Sequence, residues 1–245
     1  MKVVIAASVI LLMASAVSAQ GLKNVRFPDG SGKVGVAAGW NVKQSGNGAV
    51  VLGGPGGAEV MLGINIPVIS SNVGQQYAGS GIPDAALFPG SARVNFNNPV
   101  IATLDMVTFL ARQAKVPARI TKIRRVEPVA WANGRAALVQ FSSVVNGKPI
   151  ETYGLFAIQP IDNVQALFYF SSVAAPAGNY AKALPTMLAM WKSWGVSQDT
   201  QRQRLEAASK SLAEVDWAGA MDSVTQHRRQ VAETAARQFD RYIRQ

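Results

Sequence analysis

The side chain most often used for acid–base chemistry occurs once in this chain. His227 is the only histidine, and it stands beside Arg228 and Arg229. Two neighbouring cations disfavour a charged imidazole and repel metal ions, and one histidine cannot supply the ligand set of a zinc site. A Ser-His-Asp triad would have to use the same His227, and no G-x-S-x-G elbow marks a serine nucleophile. We therefore expect no catalytic histidine and no metal site.

Carboxylates are the remaining acid–base groups, and paired carboxylates can catalyse hydrolysis without a histidine. Ahead of the C-terminal segment we find, within the predicted sandwich, Glu59, Asp84, Asp105, Glu127, Glu151 and Asp162. No spacing singles out a pair among them. The chain also has no cysteine, which excludes disulfides, thiolate catalysis and cysteine-bound metals. We expect a non-enzymatic protein without a cofactor, with a carboxylate-based hydrolase as one alternative.

A cluster of basic side chains is the first candidate for binding. Lys122, Arg124 and Arg125 fall in one predicted strand, and the formal net charge of the whole chain is +10. Positive charge favours anionic partners such as lipid headgroups or envelope polymers. In a regular strand Lys122 and Arg124 would share one face, and Ile123 and Arg125 the other. The simpler alternative is an edge strand whose charges prevent aggregation.

The C-terminal segment, residues 197–245, is the second candidate. Gly and Pro become rare there, and apolar residues recur at steps of three and four, which predicts a long helix or a helical hairpin. The stripe that could form an interface comprises Trp217, Met221, Val224, Val231, Phe239 and Tyr242. Arg237, Arg241 and Arg244 project from the opposite side and could bind an anionic surface. We expect a protein partner or self-association through this helix, and we do not expect nucleic acid binding.

The first residues predict export. An apolar run follows Lys2, and Val17-Ser18-Ala19 has the small-x-small form of a signal-peptidase site. We interpret residues 1–19 as a signal peptide, because the run is shorter than the ~20 residues that a spanning helix needs. The mature chain would then be periplasmic or secreted, with no transmembrane span. Residues 20–33 are polar and contain Gly and Pro, so we predict an irregular lead-in.

The elements that must position these candidates can be predicted from turns and periodicity. Residues 34–67 predict three strands separated by Gly-rich turns, with runs at Val36–Val42, Ala49–Leu52 and Glu59–Ile66. Residues 68–98 are rich in Ser, Asn, Gly and Pro; they are either disordered or a binding loop, and the composition favours disorder. A helix should begin at Asn98 and Pro99. The face that it buries should comprise Val100, Leu104, Val107, Ala111 and Ala114.

The second half predicts a four-strand meander followed by a helix. Asn133-Gly134 and Asn146-Gly147 are hairpin turns between alternating apolar runs. The runs are Arg119–Trp131, Arg135–Val145, Pro149–Ile158 and Val164–Val173. The last two are apolar on both faces, which is typical of strands at the centre of a covered sheet. A second helix should be capped by Asn179 and end before Gly195.

This order of elements resembles the α/β/α sandwich of the PsbP, Mog1 and DcrB proteins. The resemblance covers residues 34–195, and the domain is expected to span 34–196. Its motifs are Gly39-Trp40-Asn41-Val42, Asn133-Gly134-Arg135-Ala136, Ala174-Ala175-Pro176 and Met190-Trp191-Lys192-Ser193-Trp194. It implies an α+β fold in which about seven antiparallel strands are covered by helices, with residues 197–245 as an extension outside the family pattern. It also implies an accessory or binding role, although a fold does not determine a function.

Three hypotheses follow from the sequence. The first is an exported, non-enzymatic binding or accessory protein whose partner is a protein, held by the helical tail or by the 68–98 loop. The second is an envelope-surface protein that binds anionic lipid or polymer. The third is the carboxylate-based hydrolase.

Overall fold

The computed structural model describes residues 21–80, 88, 90–131 and 134–197. The helices are α1 (Val73–Gln76), α2 (Pro99–Gln113) and α3 (Ala177–Ser193). The strands are β1 (Lys23–Arg26), β2 (Gly32–Val36), β3 (Asn41–Gly46), β4 (Ala49–Gly53), β5 (Glu59–Ser70), β6 (Ala92–Val94), β7 (Ala118–Val129), β8 (Arg135–Val145), β9 (Lys148–Pro160), β10 (Gln165–Pro176) and β11 (Gly195–Val196). The predicted signal peptide lies outside the described residues, and so does the predicted helical extension after Ser197. Within them no helix combines the length and apolarity needed to cross a membrane.

A large sheet organises the fold in the order β3-β4-β5-β10-β9-β8-β7, and every neighbouring pair in that path is antiparallel. β6 adds a short parallel pairing to β5. The predicted α+β class, with about seven antiparallel strands covered by helices, is confirmed. Strands β1, β2 and β11 form a second, smaller sheet that the sequence did not predict.

The predicted four-strand meander is confirmed as β7 to β10. The turn between β8 and β9 has Asn146 at φ 50° and Gly147 at φ 75°, the left-handed pair that a two-residue hairpin requires. β9 and β10 lie in the middle of the sheet, as their apolar runs predicted. Aromatic side chains meet across these strands; for example, the ring centroids of Phe156 and Phe170 are 6.2 Å apart.

Each face of the large sheet is covered by one long helix. α2 packs over β6, β7, β8 and β9, and the fully buried side chains beneath it include Val68, Val139 and Ile158. α3 packs over β2, β5, β9 and β10, where Val60, Met187 and Met190 are inaccessible to solvent. The core is therefore divided into two layers by the sheet.

The start of α2 is as predicted, but its buried face is not. Asn98 caps the helix by accepting hydrogen bonds from Val100 N at 2.9 Å and Ile101 N at 3.3 Å. The buried residues are Ala102, Thr103 and Met106, and Leu104 is 36% exposed. The predicted face was wrong because this helix is apolar around most of its circumference, so periodicity could not select the side that meets the sheet.

The boundaries of α3 also differ from the prediction. The helix begins at Ala177 after Pro176, so Asn179 lies inside its first turn and donates instead to Pro55 O at 3.1 Å. Gly195 does not simply end the helix; it begins β11 and pairs with Lys33 of β2. This pairing joins residues far apart in sequence, and no local signal reports it.

Residues 20–33 are not an irregular lead-in where the structure describes them. β1 pairs with β2 in antiparallel register, and Phe27 between them is 3% exposed. The prediction was wrong because β1 is four mostly polar residues, held in place by the α3-side core rather than by its own propensity.

Part of the 68–98 stretch is ordered by contacts with the sheet. β5 continues to Ser70, α1 follows, and β6 pairs with β5. Ile69 and Val73 are buried together and pack against Val164 of the β9–β10 turn. The preference for disorder was therefore wrong for these two ends of the stretch, because a composition rule does not include long-range burial. Residues 81–87 and 89 are outside the described part of the chain.

Candidate functional site

The predicted basic cluster lies on β7, at one edge of the large sheet. Two register shifts interrupt its pairing with β8, between Ile120 and Lys122 and between Ile123 and Arg125. These bulges place Ile123 opposite Phe141 and Arg125 opposite Gln140, so the two side chains lie on different faces of the sheet. The expectation that Ile123 and Arg125 share a face was wrong for this reason.

Two of the three cations in this cluster on β7 form ion pairs with acidic side chains. The guanidinium of Arg124 makes a two-point contact with the Glu151 carboxylate at 3.0 and 2.8 Å, and it also donates to Ser142 Oγ at 2.9 Å. Arg125 forms an ion pair with Glu127. Lys122 is exposed and has no ion pair within the described residues. This arrangement is typical of a charged, bulged edge strand that resists edge-to-edge pairing.

The other predicted site residues lie outside the part of the chain that the structure describes. These are the cations Arg237, Arg241 and Arg244 and the stripe Trp217, Met221, Val224, Val231, Phe239 and Tyr242. His227 lies in the same undescribed segment. Their roles stay predictions.

A cleft of about 930 Å³ lies at one end of the large sheet. Its walls come from five places in the chain: the end of β5, α1, the β6–α2 connection, the start of β8 and the β9–β10 turn. The lining residues are Ser70, Asn72, Gln76, Phe96, Asn97, Gly134, Arg135, Pro160, Asp162 and Asn163. We call this the Arg135 cleft. Half of its lining comes from the 68–98 stretch, the segment for which a binding loop was the alternative to disorder.

The β9–β10 turn forms a rigid wall of the cleft. Asp162 Oδ1 accepts hydrogen bonds from Val164 N at 2.6 Å and Gln165 N at 2.7 Å. A carboxylate that accepts from the backbone two and three residues later fixes the turn. This leaves Asn163 exposed beside it on the rim of the cleft.

The end of β5 and α1 are both tied to the same turn by hydrogen bonds. Ser70 N donates to Val164 O at 2.8 Å, and Gln76 Nε2 donates to Asn163 O at 2.9 Å. Ser71 N donates to Val94 O at 2.9 Å, which connects the end of β5 to β6. The cleft is thus preorganised by main-chain contacts between segments that are distant in sequence.

The third wall is the short connection that leads into α2. Asn95 N donates to the carboxylate of Asp105 at 3.0 Å, and Asn97 N donates to Asn95 Oδ1 at 2.9 Å. Burial raises the pKa of Asp105 above its ordinary value, and the hydrogen bond from Asn95 opposes that rise. Asp105 holds the connection in place, and Phe96 presents a half-buried ring to the cleft.

Arg135 supplies the positive charge of the cleft. It begins β8 opposite Ile158, and Gly134 brings the chain so close to Ile158 O that a Cβ would clash with that backbone oxygen. The side chain of Arg135 is exposed and makes no ion pair with any described residue. In contrast to Arg124 and Arg125, it is available to a ligand.

The chemistry of the cleft is that of hydrogen bonding. Four carboxamide side chains line it, from Asn72, Gln76, Asn97 and Asn163, and each can both donate and accept. No group of three or more His, Cys, Asp or Glu side chains suited to a metal ion exists within the described residues. Sequence reasoning did not identify these residues as a site, because they come from separate segments. Asn72, Gln76 and Asn97 lie in the 68–98 stretch, for which disorder was preferred over a binding loop, and Asn163 was interpreted as part of a turn.

Comparison with known proteins gives a fold likeness of limited extent. No family model and no curated relative matches the chain. Among solved structures, it is similar to LpqN, described as involved in cell envelope biogenesis of Mycobacterium tuberculosis, with a TM-score of 0.36 and 10% identity over 71% of this chain and 90% of that chain. It is also similar to cyanobacterial PsbP (CyanoP) from Synechocystis sp. PCC 6803, with a TM-score of 0.36 and 10% identity over 74% of this chain and 95% of that chain.

The resemblance expected from the sequence is therefore confirmed as a weak structural one. At this identity and TM-score it carries no argument about function. The geometry of the chain's own residues has to supply that argument.

Proposed function

We propose that this protein is an exported, non-enzymatic binding protein that holds a polar ligand in the Arg135 cleft. The observation that carries the proposal is the juxtaposition, in one preorganised depression, of four carboxamides, an aromatic ring and an arginine that makes no ion pair in the described part of the chain. Concave sites with a few convergent polar groups are the usual binding sites of proteins. Export is the expectation from residues 1–19, and the protein-partner role of the tail stays a separate prediction.

The state of the carboxylates supports binding rather than acid–base catalysis. Every carboxylate in the described part of the chain is engaged by the fold. Glu59 pairs with Lys43 at 2.8 Å and Glu151 with Arg124 at 2.8 Å, both away from the cleft. Asp162 is the one described carboxylate that lines the cleft, and it has no second carboxylate beside it. A hydrolase of the paired-carboxylate kind would need two such groups facing one bond.

Hydrogen–deuterium exchange with a panel of ligands tests this proposal. The panel contains short saccharides, amino acids and tripeptides, nucleotides and short-chain phospholipids, each added to the chain from Gln20 to Gln245. We expect at least one class to protect the backbone amides of 70–76, 95–97 and 161–165. Asn97→Trp should abolish this protection by obstructing the cleft, whereas Gln113→Trp at the exposed far end of α2 should retain it.

Two results would contradict the proposal. One is protection that is unchanged in Asn97→Trp, which would locate binding elsewhere. The other is turnover of a panel member by the wild-type protein that Asp162→Asn abolishes, which would make the cleft an active site.

A further inference from the structure

We infer that the Arg135 cleft binds an acidic saccharide, a sugar chain whose rings carry carboxylates. The inference rests on the proposed function and names its ligand class. It follows from what the lining side chains can recognise, and from what they lack.

The carboxamides match the hydroxyl groups of a sugar. A hydroxyl donates one hydrogen bond and accepts others, and a carboxamide offers both donors and acceptors in one plane. Asn72, Asn97 and Asn163 are exposed at three different walls of the cleft. A ligand that bridges them needs polar groups pointing in several directions, as the hydroxyls around a sugar ring do. Phe96 and Pro160 add apolar surface on which the C–H face of a ring can lie.

Arg135 selects for negative charge. Its guanidinium can bind a carboxylate through two parallel hydrogen bonds, and it has no acid partner among the described residues. The charge of the chain as a whole, +10, attracts anionic polymers before contact. Asp162 does not cancel this selection by pairing with Arg135, since no ion pair joins them and one carboxylate oxygen is bound to the turn.

Other ligand classes fit the cleft less well. A peptide recognised by strand addition needs a free sheet edge, and no residue of the edge strands β3, β6 and β7 lines the cleft. A nucleotide or lipid phosphate is usually held by several cations or by main-chain amides, and this cleft contains one arginine and no lysine. An acyl chain needs a mostly apolar lining, and carboxamides dominate here.

Isothermal titration calorimetry on the chain from Gln20 to Gln245 tests the inference. The acidic probes are trigalacturonic acid and a hyaluronan tetrasaccharide, and the methyl ester of trigalacturonic acid is the matched neutral probe. Inorganic phosphate and triglutamate distinguish a simple anion site and a peptide site. We expect at least one acidic saccharide to bind, and its affinity should exceed that of the corresponding neutral ester by about tenfold, as one charge-assisted contact provides.

Two variants make the test specific. Arg135→Gln should remove the preference for the acid over the ester while leaving the thermal transition of the protein in place. Arg119→Gln is the matched control, because Arg119 is an exposed cation on β7 without an ion pair among the described residues. It should leave the preference unchanged.

Several outcomes would overturn the inference. Equal binding of acid and ester, an acid preference that survives Arg135→Gln, or binding of neither acidic saccharide would each do so. Tighter binding of phosphate or triglutamate than of the saccharides would also overturn it. If phosphate or triglutamate bound in an Arg135-dependent manner, the cleft would still be a binding site and the proposed function would stand. If no ligand of the hydrogen–deuterium exchange panel protected the cleft amides, the proposed function and this inference would both fail.

Discussion

Replacing Gly63 with alanine tests whether a bulge in β5 is as tightly packed as its geometry indicates. Leu62 and Gly63 stand opposite Ser171 alone, because the register with β10 shifts between Phe170 and Ser172. Gly63 has φ of +69°, and its N–H donates to Ser171 Oγ at 2.9 Å. This strand ends at Ser70, which lines the Arg135 cleft, so its register also positions one wall of the cleft.

The magnitude of the effect can be built from three contributions. The left-handed backbone costs an alanine about 1 kcal/mol. Its Cβ would lie 2.6 Å from Trp194 Cζ2 and 2.9 Å from Gly48 O, an overpacking that costs about 1–2 kcal/mol. The same movement endangers the hydrogen bond from Trp194 Nε1 to Gly48 O at 3.2 Å, worth about 1 kcal/mol. We expect Gly63→Ala to lower the free energy of unfolding by about 3 kcal/mol.

Gly147→Ala is the matched control for this prediction. Gly147 has φ of +75°, but nothing lies within 4 Å of a Cβ added there. It should therefore show the backbone cost alone, about 1 kcal/mol. Urea unfolding of both variants, followed by far-ultraviolet circular dichroism, gives the two free energies.

A third measurement separates packing from backbone strain. Trp194→Phe removes the indole atoms that approach Gly63, so in that background the cost of Gly63→Ala should fall toward the Gly147→Ala value. The reasoning is refuted if Gly63→Ala costs no more than Gly147→Ala, or if the cost is the same with and without the indole.

Two further predictions concern pH. Hydrogen bonding by the Ser31 side chain and by backbone amides lowers the pKa of Asp29 to about 2, so its stabilisation is complete above about pH 4 and is lost as the pH falls toward 2. Asp29→Asn should remove this part of the acid unfolding curve, and an unchanged curve would contradict the assignment. Burial, with a smaller contribution from Glu151, raises the pKa of Tyr180 to about 12, so stability should decline as the pH rises from about 10 to 12. The Tyr180 hydroxyl is buried without a hydrogen-bond partner in the described structure, so Tyr180→Phe should change stability at neutral pH by less than about 1 kcal/mol and abolish the alkaline decline; a larger loss would show that the hydroxyl has a partner.

Local signals predicted much of the sheet. Asn146-Gly147 requires left-handed backbone angles and folds into the predicted hairpin, and the runs on either side became β8 and β9. The apolar runs of β9 and β10 predicted their central position, because a strand covered on both faces needs apolar residues on both. Asn98 and Pro99 predicted the first turn of α2 for an equally local reason.

Contacts between distant segments were not predictable in this way. β1 and β11 are short and carry weak strand signals. They form because both pair with β2, whose Val34 and Val36 belong to the core beneath α3. The buried side of α2 was mispredicted because the helix has apolar residues on more than one face. Packing against the sheet determines which of these faces is buried. In β7, two bulges rearranged the faces that simple alternation assigned.

The same distinction between local signals and long-range contacts applies to the candidate site. The sequence by itself determined that no cysteine chemistry exists, that one histidine is available, and that basic residues are in excess. Only the tertiary structure decided which cations are available, since Arg124 and Arg125 are paired with acids and Arg135 has no ion pair with a described residue. It also brought Asn72, Asn97 and Asn163 around Arg135, residues from segments that meet because strands pair over long sequence distances. Composition and periodicity predict the local structure of each segment. A binding cleft depends instead on which segments come together in the folded chain.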